Sequence, residues 1–137
     1  VTDPASRLFP GRVVTPLEDV VALARQQEGL RLILAHWGGG LVFHELNPHA
    51  RQALRHCVYD TAATPLLYDP AVYRAAVDAV GADRILFGSD YPLMVFPREQ
   101  REPEFVRVLD QVRRAGLEAD AQRAILGGNA ARLLDPG

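Results

Sequence analysis

The residues able to do chemistry stand at the ends of three apolar runs. Arg31-Leu32-Ile33-Leu34-Ala35 leads into His36-Trp37-Gly38-Gly39-Gly40. His56-Cys57-Val58-Tyr59 leads into Asp60-Thr61, and Arg84-Ile85-Leu86-Phe87-Gly88-Ser89 leads into Asp90-Tyr91-Pro92. Strand ends of parallel α/β folds form the ligand rim, so one histidine and two carboxylates there would face a shared pocket. Imidazole with carboxylate suits a borderline divalent ion such as zinc, and either group can move a proton. Each residue also has a structural reading. His36 could sit against close-packed backbone beside three glycines. Asp60 could do no more than hydrogen-bond the next loop. Asp90 could cap a turn, although a carboxylate after Phe87-Gly88-Ser89 is costly to bury without a cation or several donors.

Other candidates carry less. Trp37 reads as a packing residue or as a platform for a ligand. Gly38-Gly39-Gly40 lacks a phosphate-loop lysine and the dinucleotide spacing, so it reads as a tight turn leaving room beside the site. Arg98 and Arg101 lie in a long polar loop, Val95 to Pro103, and could hold a substrate carboxylate; the alternative is a solvated loop. His44 and His49 are five residues apart, which does not place them on one helical face.

The elements that must position these groups follow a strand, turn, helix pattern. The runs begin near residues 31, 57 and 84, which are 26 and 27 residues apart. That is the length of one strand, one helix and two loops in a parallel α/β unit. Thr15-Pro16-Leu17-Glu18 reads as a capping box before a helix that Gly29 can end. Asp69-Pro70 starts a helix with Tyr73, Ala76, Val77 and Val80 on one face, stopped by Gly81. Another starts near Pro103, with Phe105, Val108, Leu109 and Val112 on its face. The segment from Phe43 to His56 is expected as helix restarted at Asn47-Pro48. The tail, Ala119 to Leu134, is expected to break at Gly127-Gly128, with Asn129 capping the last turn.

Composition narrows the chemistry. Of 137 residues, 48% are apolar and 23% charged, as in a globular protein. A net charge of −2 argues against nucleic acid or an anionic membrane as partner. All 15 basic residues are arginine, which removes Schiff-base chemistry and a lysine base. The single Cys57 allows no intrachain disulfide. No apolar run is long enough to span a bilayer and no signal-type segment opens the chain, so the expected location is cytoplasmic. Val1 is not expected to be the natural start.

Four stretches then follow in order: Arg31 to Gly40 as quoted, Val58-Tyr59-Asp60-Thr61-Ala62-Ala63, Gly81-Ala82-Asp83-Arg84 through Pro92, and Ile125-Leu126-Gly127-Gly128-Asn129-Ala130-Ala131-Arg132-Leu133-Leu134. From about Pro10 to Leu134 the chain resembles the amidohydrolase-related metal-dependent hydrolases of the "amidohydrolase 2" type. Aminocarboxymuconate-semialdehyde decarboxylase and other nonoxidative decarboxylases belong to the same group. The resemblance implies an α/β fold, a (β/α)8 TIM barrel holding one divalent metal, usually zinc, at the carboxyl ends of its strands. The family pattern has a His-x-His pair on strand one, a His on each of strands five and six, and an Asp on strand eight. By that pattern His36 is the sixth-strand His that positions or deprotonates water or polarises substrate. Asp90 is the eighth-strand Asp, a metal ligand and general base, and Asp60 ends strand seven. Trp37, Asp60 and Arg98 are the candidate substrate-binding residues.

The sequence departs from the pattern in one respect. It holds no His-x-His and no His before His36. Val1 to Pro10 looks like the loop after strand five. A full barrel needs at least about 200 residues. Residues 1–137 are therefore expected to be a partial TIM-barrel domain, strands six to eight with their helices. The expected function is that of a metal-dependent hydrolase acting on a small molecule through a metal-activated water, with this chain inactive alone. The alternatives are a nonoxidative decarboxylase on the same scaffold, or a non-catalytic remnant that associates with another chain. The expected macromolecular partner is the missing amino-terminal part of the barrel or a second copy.

Overall fold

The apolar runs form a three-stranded parallel sheet in the order β1 (Leu32–Leu34), β2 (Cys57–Asp60), β3 (Ile85–Leu86). The structure, a computed structural model, describes residues 13–135. Leu32, Ile33 and Leu34 lie opposite Cys57, Val58 and Tyr59, and Tyr59 and Asp60 lie opposite Ile85 and Leu86. Parallel neighbours require crossovers, and helices fill both. Helix α1 (Leu17–Gln26) precedes the sheet. Helices α2 (Leu41–His44) and α3 (Pro48–Ala53) join β1 to β2, and α4 (Thr64–Leu67) and α5 (Val72–Val80) join β2 to β3. Helices α6 (Val106–Arg114), α7 (Ala119–Arg123) and α8 (Asn129–Leu134) follow. No helix among the described residues is long and apolar enough to cross a membrane.

Alternation along the strands sorts the side chains onto two faces. Leu34, Cys57, Tyr59 and Ile85 pack with Val20 and Ala24 of α1, Tyr73 and Ala76 of α5, Val112 and Ile125 in the core. Ile33 and its partner Val58 point the other way, and Ile33 is 53% exposed. The helix restart at Asn47-Pro48 is present. Pro48 opens α3, and the Asn47 side chain accepts the His49 N–H at 2.9 Å.

Four sequence expectations are corrected. Thr15 does not cap α1; the helix begins directly after Pro16 with no side-chain cap bond, and it ends at Gln26 rather than at Gly29. The third strand stops at Leu86, because the Phe87 N–H donates to the Ile125 carbonyl at 3.0 Å. Phe105 stays outside α6, 48% exposed. Asn129 does not cap the last turn. It is buried, and its side-chain amide donates to the carbonyls of Ala82 at 2.7 Å and Ile85 at 2.6 Å, fastening the tail to β3. The expected loop at Val1 to Pro10 lies outside the described residues.

Asn129→Ala is expected to lower stability by about 1–3 kcal/mol, since it strips the donor from two carbonyls in a largely closed site. The urea midpoint of the variant against the native protein measures this.

The amino-terminal end of the sheet is held by a buried ion pair that the sequence reading missed. Glu45, which follows α2, is fully buried. Arg84 clasps it with two bonds, of 2.5 and 2.7 Å, and also donates to the Cys57 carbonyl at 2.9 and 2.8 Å and to the Leu54 carbonyl at 2.7 Å. The Tyr59 hydroxyl donates to the same carboxylate at 2.5 Å.

Candidate active site

His36 leaves β1 through a left-handed turn. Residues 36 to 40 have φ of 57, 58, 64, 62 and 94°, and two of them, His36 and Trp37, are not glycine. A side chain in this region costs about 1–2 kcal/mol. Specific contacts hold the turn. The Asp60 Oδ1 atom accepts the His36 N–H at 2.8 Å and the Ala62 N–H at 3.0 Å. The Trp37 indole is fully buried, donates to Thr64 Oγ1 at 2.9 Å and meets Tyr73 edge-on at 5.5 Å. At Gly38 a Cβ would lie 2.9 Å from the Tyr59 ring. Gly38→Ala is therefore expected to cost about 1–3 kcal/mol, from a strained φ and a clash with a packed ring. Thermal or urea unfolding against the native protein checks it.

Asp90 arrives from the third strand, also in the left-handed region, with φ of 59°. Strained residues of this kind collect at functional sites. The approach is braced. The Thr61 hydroxyl bonds to the Gly88 carbonyl at 3.1 Å and accepts the Gly88 N–H at 3.0 Å. The outcome is a pair of facing groups, His36 Nε2 and Asp90 Oδ2, 3.7 Å apart with side chains about one-third exposed. At that distance they form an ion pair when the imidazole is charged, but the gap is too long for a direct hydrogen bond. Both groups remain reachable by water or a small molecule, and both can exchange protons.

As metal donors they offer one nitrogen and one oxygen. Zinc takes three or four protein ligands, and no cluster of three His, Cys, Asp or Glu converges among the described residues. The pair fits part of a zinc site and does not complete one.

The other candidates are placed differently. Asp60 lies beneath the turn and bonds the His36 backbone. Trp37 was expected at the substrate, but the left-handed turn swings its indole into the core, away from solvent. Arg98 is exposed and lines an open hollow of about 460 Å³ with Pro65, Leu66 and Phe96. A second hollow of about 470 Å³ lies between Pro70, Phe96 and Arg107, and its lining includes neither His36 nor Asp90. Arg107 stacks over Phe96 at 4.3 Å and pairs with Glu99 and Glu104. Sequence reasoning missed Thr64. The available signal was the indole itself, since a buried tryptophan N–H needs an acceptor.

The sequence profile of the amidohydrolase family matches residues 12–135. The chain belongs to the amidohydrolase family. No protein of curated function matches it. Among solved structures, an amidohydrolase from Burkholderia multivorans with bound zinc is 28% identical. It superposes with a TM-score of 0.61 over 85% of this chain and 48% of its own. The 5-carboxyvanillate decarboxylase LigW from Sphingomonas paucimobilis superposes with a TM-score of 0.63 at 18% identity, over 85% of this chain and 38% of its own. That second likeness speaks to the fold alone. The chain spans less than half the length of either structure.

Proposed function

We propose that this chain supplies the His36 and Asp90 half of a metal-dependent hydrolase acting on a small molecule. One observation carries the reading. Two groups able to exchange protons, from the ends of the first and third strands, face each other at 3.7 Å, and both rest on left-handed backbone. In this reading the three strands are the sixth to eighth of a (β/α)8 barrel, and the amino-terminal part of that barrel brings the remaining metal ligands. The zinc of the Burkholderia amidohydrolase supports a divalent ion here. Such an ion, when bound, lowers the pKa of water and polarises a carbonyl. Asp90 would offer that ion a ligand oxygen and would take a proton from the attacking water. That proton would go on to the leaving group as its bond to the carbonyl breaks, by way of His36, whose N–H would otherwise steady the developing oxyanion.

With only two donors, the chain alone is expected to hold no stoichiometric zinc and to turn nothing over. The experiment compares the full-length protein with residues 1–137 on γ-lactones, anilides and hydroxybenzoates, with and without a chelator. Chelator-sensitive cleavage of a lactone or anilide by the full-length protein alone supports hydrolysis. Carbon dioxide release from hydroxybenzoates moves the reading to decarboxylation. No turnover by either leaves a non-catalytic binding role.

A further inference from the structure

We propose that the segment from Asp60, the last residue of β2, to Thr64, the first of α4, is a bracket that sets the spacing of His36 and Asp90, with Asp60 and Thr64 as its positioning residues. The inference rests on reading His36 as a catalytic group. The bracket touches both neighbouring strand ends. On one side, Asp60 Oδ1 takes the His36 N–H at 2.8 Å, and Thr64 Oγ1 takes the Trp37 indole N–H at 2.9 Å. These are the two non-glycine residues of the left-handed turn, where the backbone would otherwise relax to negative φ. On the other side, the Thr61 hydroxyl bonds both the N–H and the carbonyl of Gly88, two residues before Asp90.

The bracket is itself fixed. Asp60 Oδ1 also accepts the Ala62 N–H at 3.0 Å, which locks the carboxylate to its own loop. The Thr64 hydroxyl gives its proton to the Thr61 carbonyl at 2.6 Å, leaving a lone pair for the indole. Ala63 between them is left-handed, with φ of 52°. One short segment thus carries acceptors for His36 and Trp37 and a clasp for the stretch that leads from β3 to Asp90. Asp60 needs only an acceptor oxygen to do this, not a charge.

The test uses the full-length protein with Asp60→Ala, Asp60→Asn and Thr64→Val. Amide hydrogen exchange is followed at His36, and kcat and KM are measured on whichever lactone, anilide or hydroxybenzoate it turns over. In Asp60→Ala, exchange at the His36 amide is expected to rise about tenfold or more, while amides within β2 keep their rates. In the same variant kcat is expected to fall about thirtyfold with KM nearly unchanged, because a displaced group loses alignment rather than binding. Asp60→Asn keeps an acceptor oxygen and should restore both. Thr64→Val should speed exchange of the Trp37 indole N–H and lower kcat.

The proposal is overturned if Asp60→Asn loses as much kcat as Asp60→Ala, since the charge would then act on substrate or metal directly. It is equally overturned if His36 exchange does not respond to Asp60→Ala. Should that variant not fold, Asp60→Asn and Thr64→Val decide by the same readings. Should no substrate be turned over, the proposed hydrolase has failed, and the exchange rates still decide the bracket.

Discussion

On the proposed function, replacing Asp90 by alanine is expected to lower the rate of the proposed hydrolysis by about two orders of magnitude or more, and to reduce the metal that the assembled site holds. The argument runs from placement. Asp90 stands on left-handed backbone in the stretch that follows the third strand, with Oδ2 3.7 Å from His36 Nε2 and about a third of its side chain open to solvent. Alanine removes the one carboxylate in this pair and with it the acceptor that faces the imidazole. His36→Ala is expected to lower the rate to a similar degree but to retain more metal. The double variant should lose far less than the product of the two, because groups acting as a unit are not additive. Rate measurements under saturating substrate, with metal analysis of each variant, decide this. A loss below about tenfold for both variants would place the chemistry elsewhere.

The second large effect lies at the opposite end of the sheet. Glu45→Ala is expected to destabilise the protein by about 3–5 kcal/mol, because it strands a charge and a hydroxyl inside the fold. Glu45 has no exposed surface, so its carboxylate has given up all its water. In return it takes two bonds from Arg84 and one from Tyr59. Burial, reinforced by the bond to Glu45, holds the Tyr59 phenol well above its ordinary pKa, so it remains a donor at any working pH. Arg84 also ties the Leu54 and Cys57 carbonyls, at the entry to β2, to its own position just before β3. Glu45→Gln keeps acceptor and shape but loses the charge, and should fall between alanine and native. Urea unfolding of the three proteins orders them. A loss below about 1 kcal/mol for alanine would mean that solvent or a neighbour replaces the pair.

The features legible in the sequence were local, or followed from a general rule of parallel sheets. The apolar runs at 31, 57 and 84 became strands because two crossovers of helical length separate them. The restart at Asn47-Pro48 was legible because proline at the first turn and asparagine before it act on adjacent residues. His36 and Asp90 were legible as a pair because strand ends of parallel sheets converge. What escaped depends on distant partners. Arg84 and Glu45 are 39 residues apart, and nothing near either announces the other. The third strand looked longer than it is because Phe87 is apolar, yet its N–H goes to a carbonyl in the tail. Trp37 looked available because it follows His36, but a left-handed turn does not alternate side chains as a strand does. Asn129 looked like a cap by position. Its amide instead serves β3, which only the folded tail brings within reach.

The outward face of the sheet bears on how the chain behaves in a tube. Among the described residues β1 and β3 each have a strand neighbour on one side only, and Ile33 stands more than half exposed beside Val58. Open strand edges beside uncovered aliphatic surface template contact between copies. Handled by itself at high concentration, the chain is a candidate for self-association and precipitation. The shortness of the strands, two to four residues each, limits how far such pairing can propagate. A screen for soluble expression is therefore best run at low protein concentration.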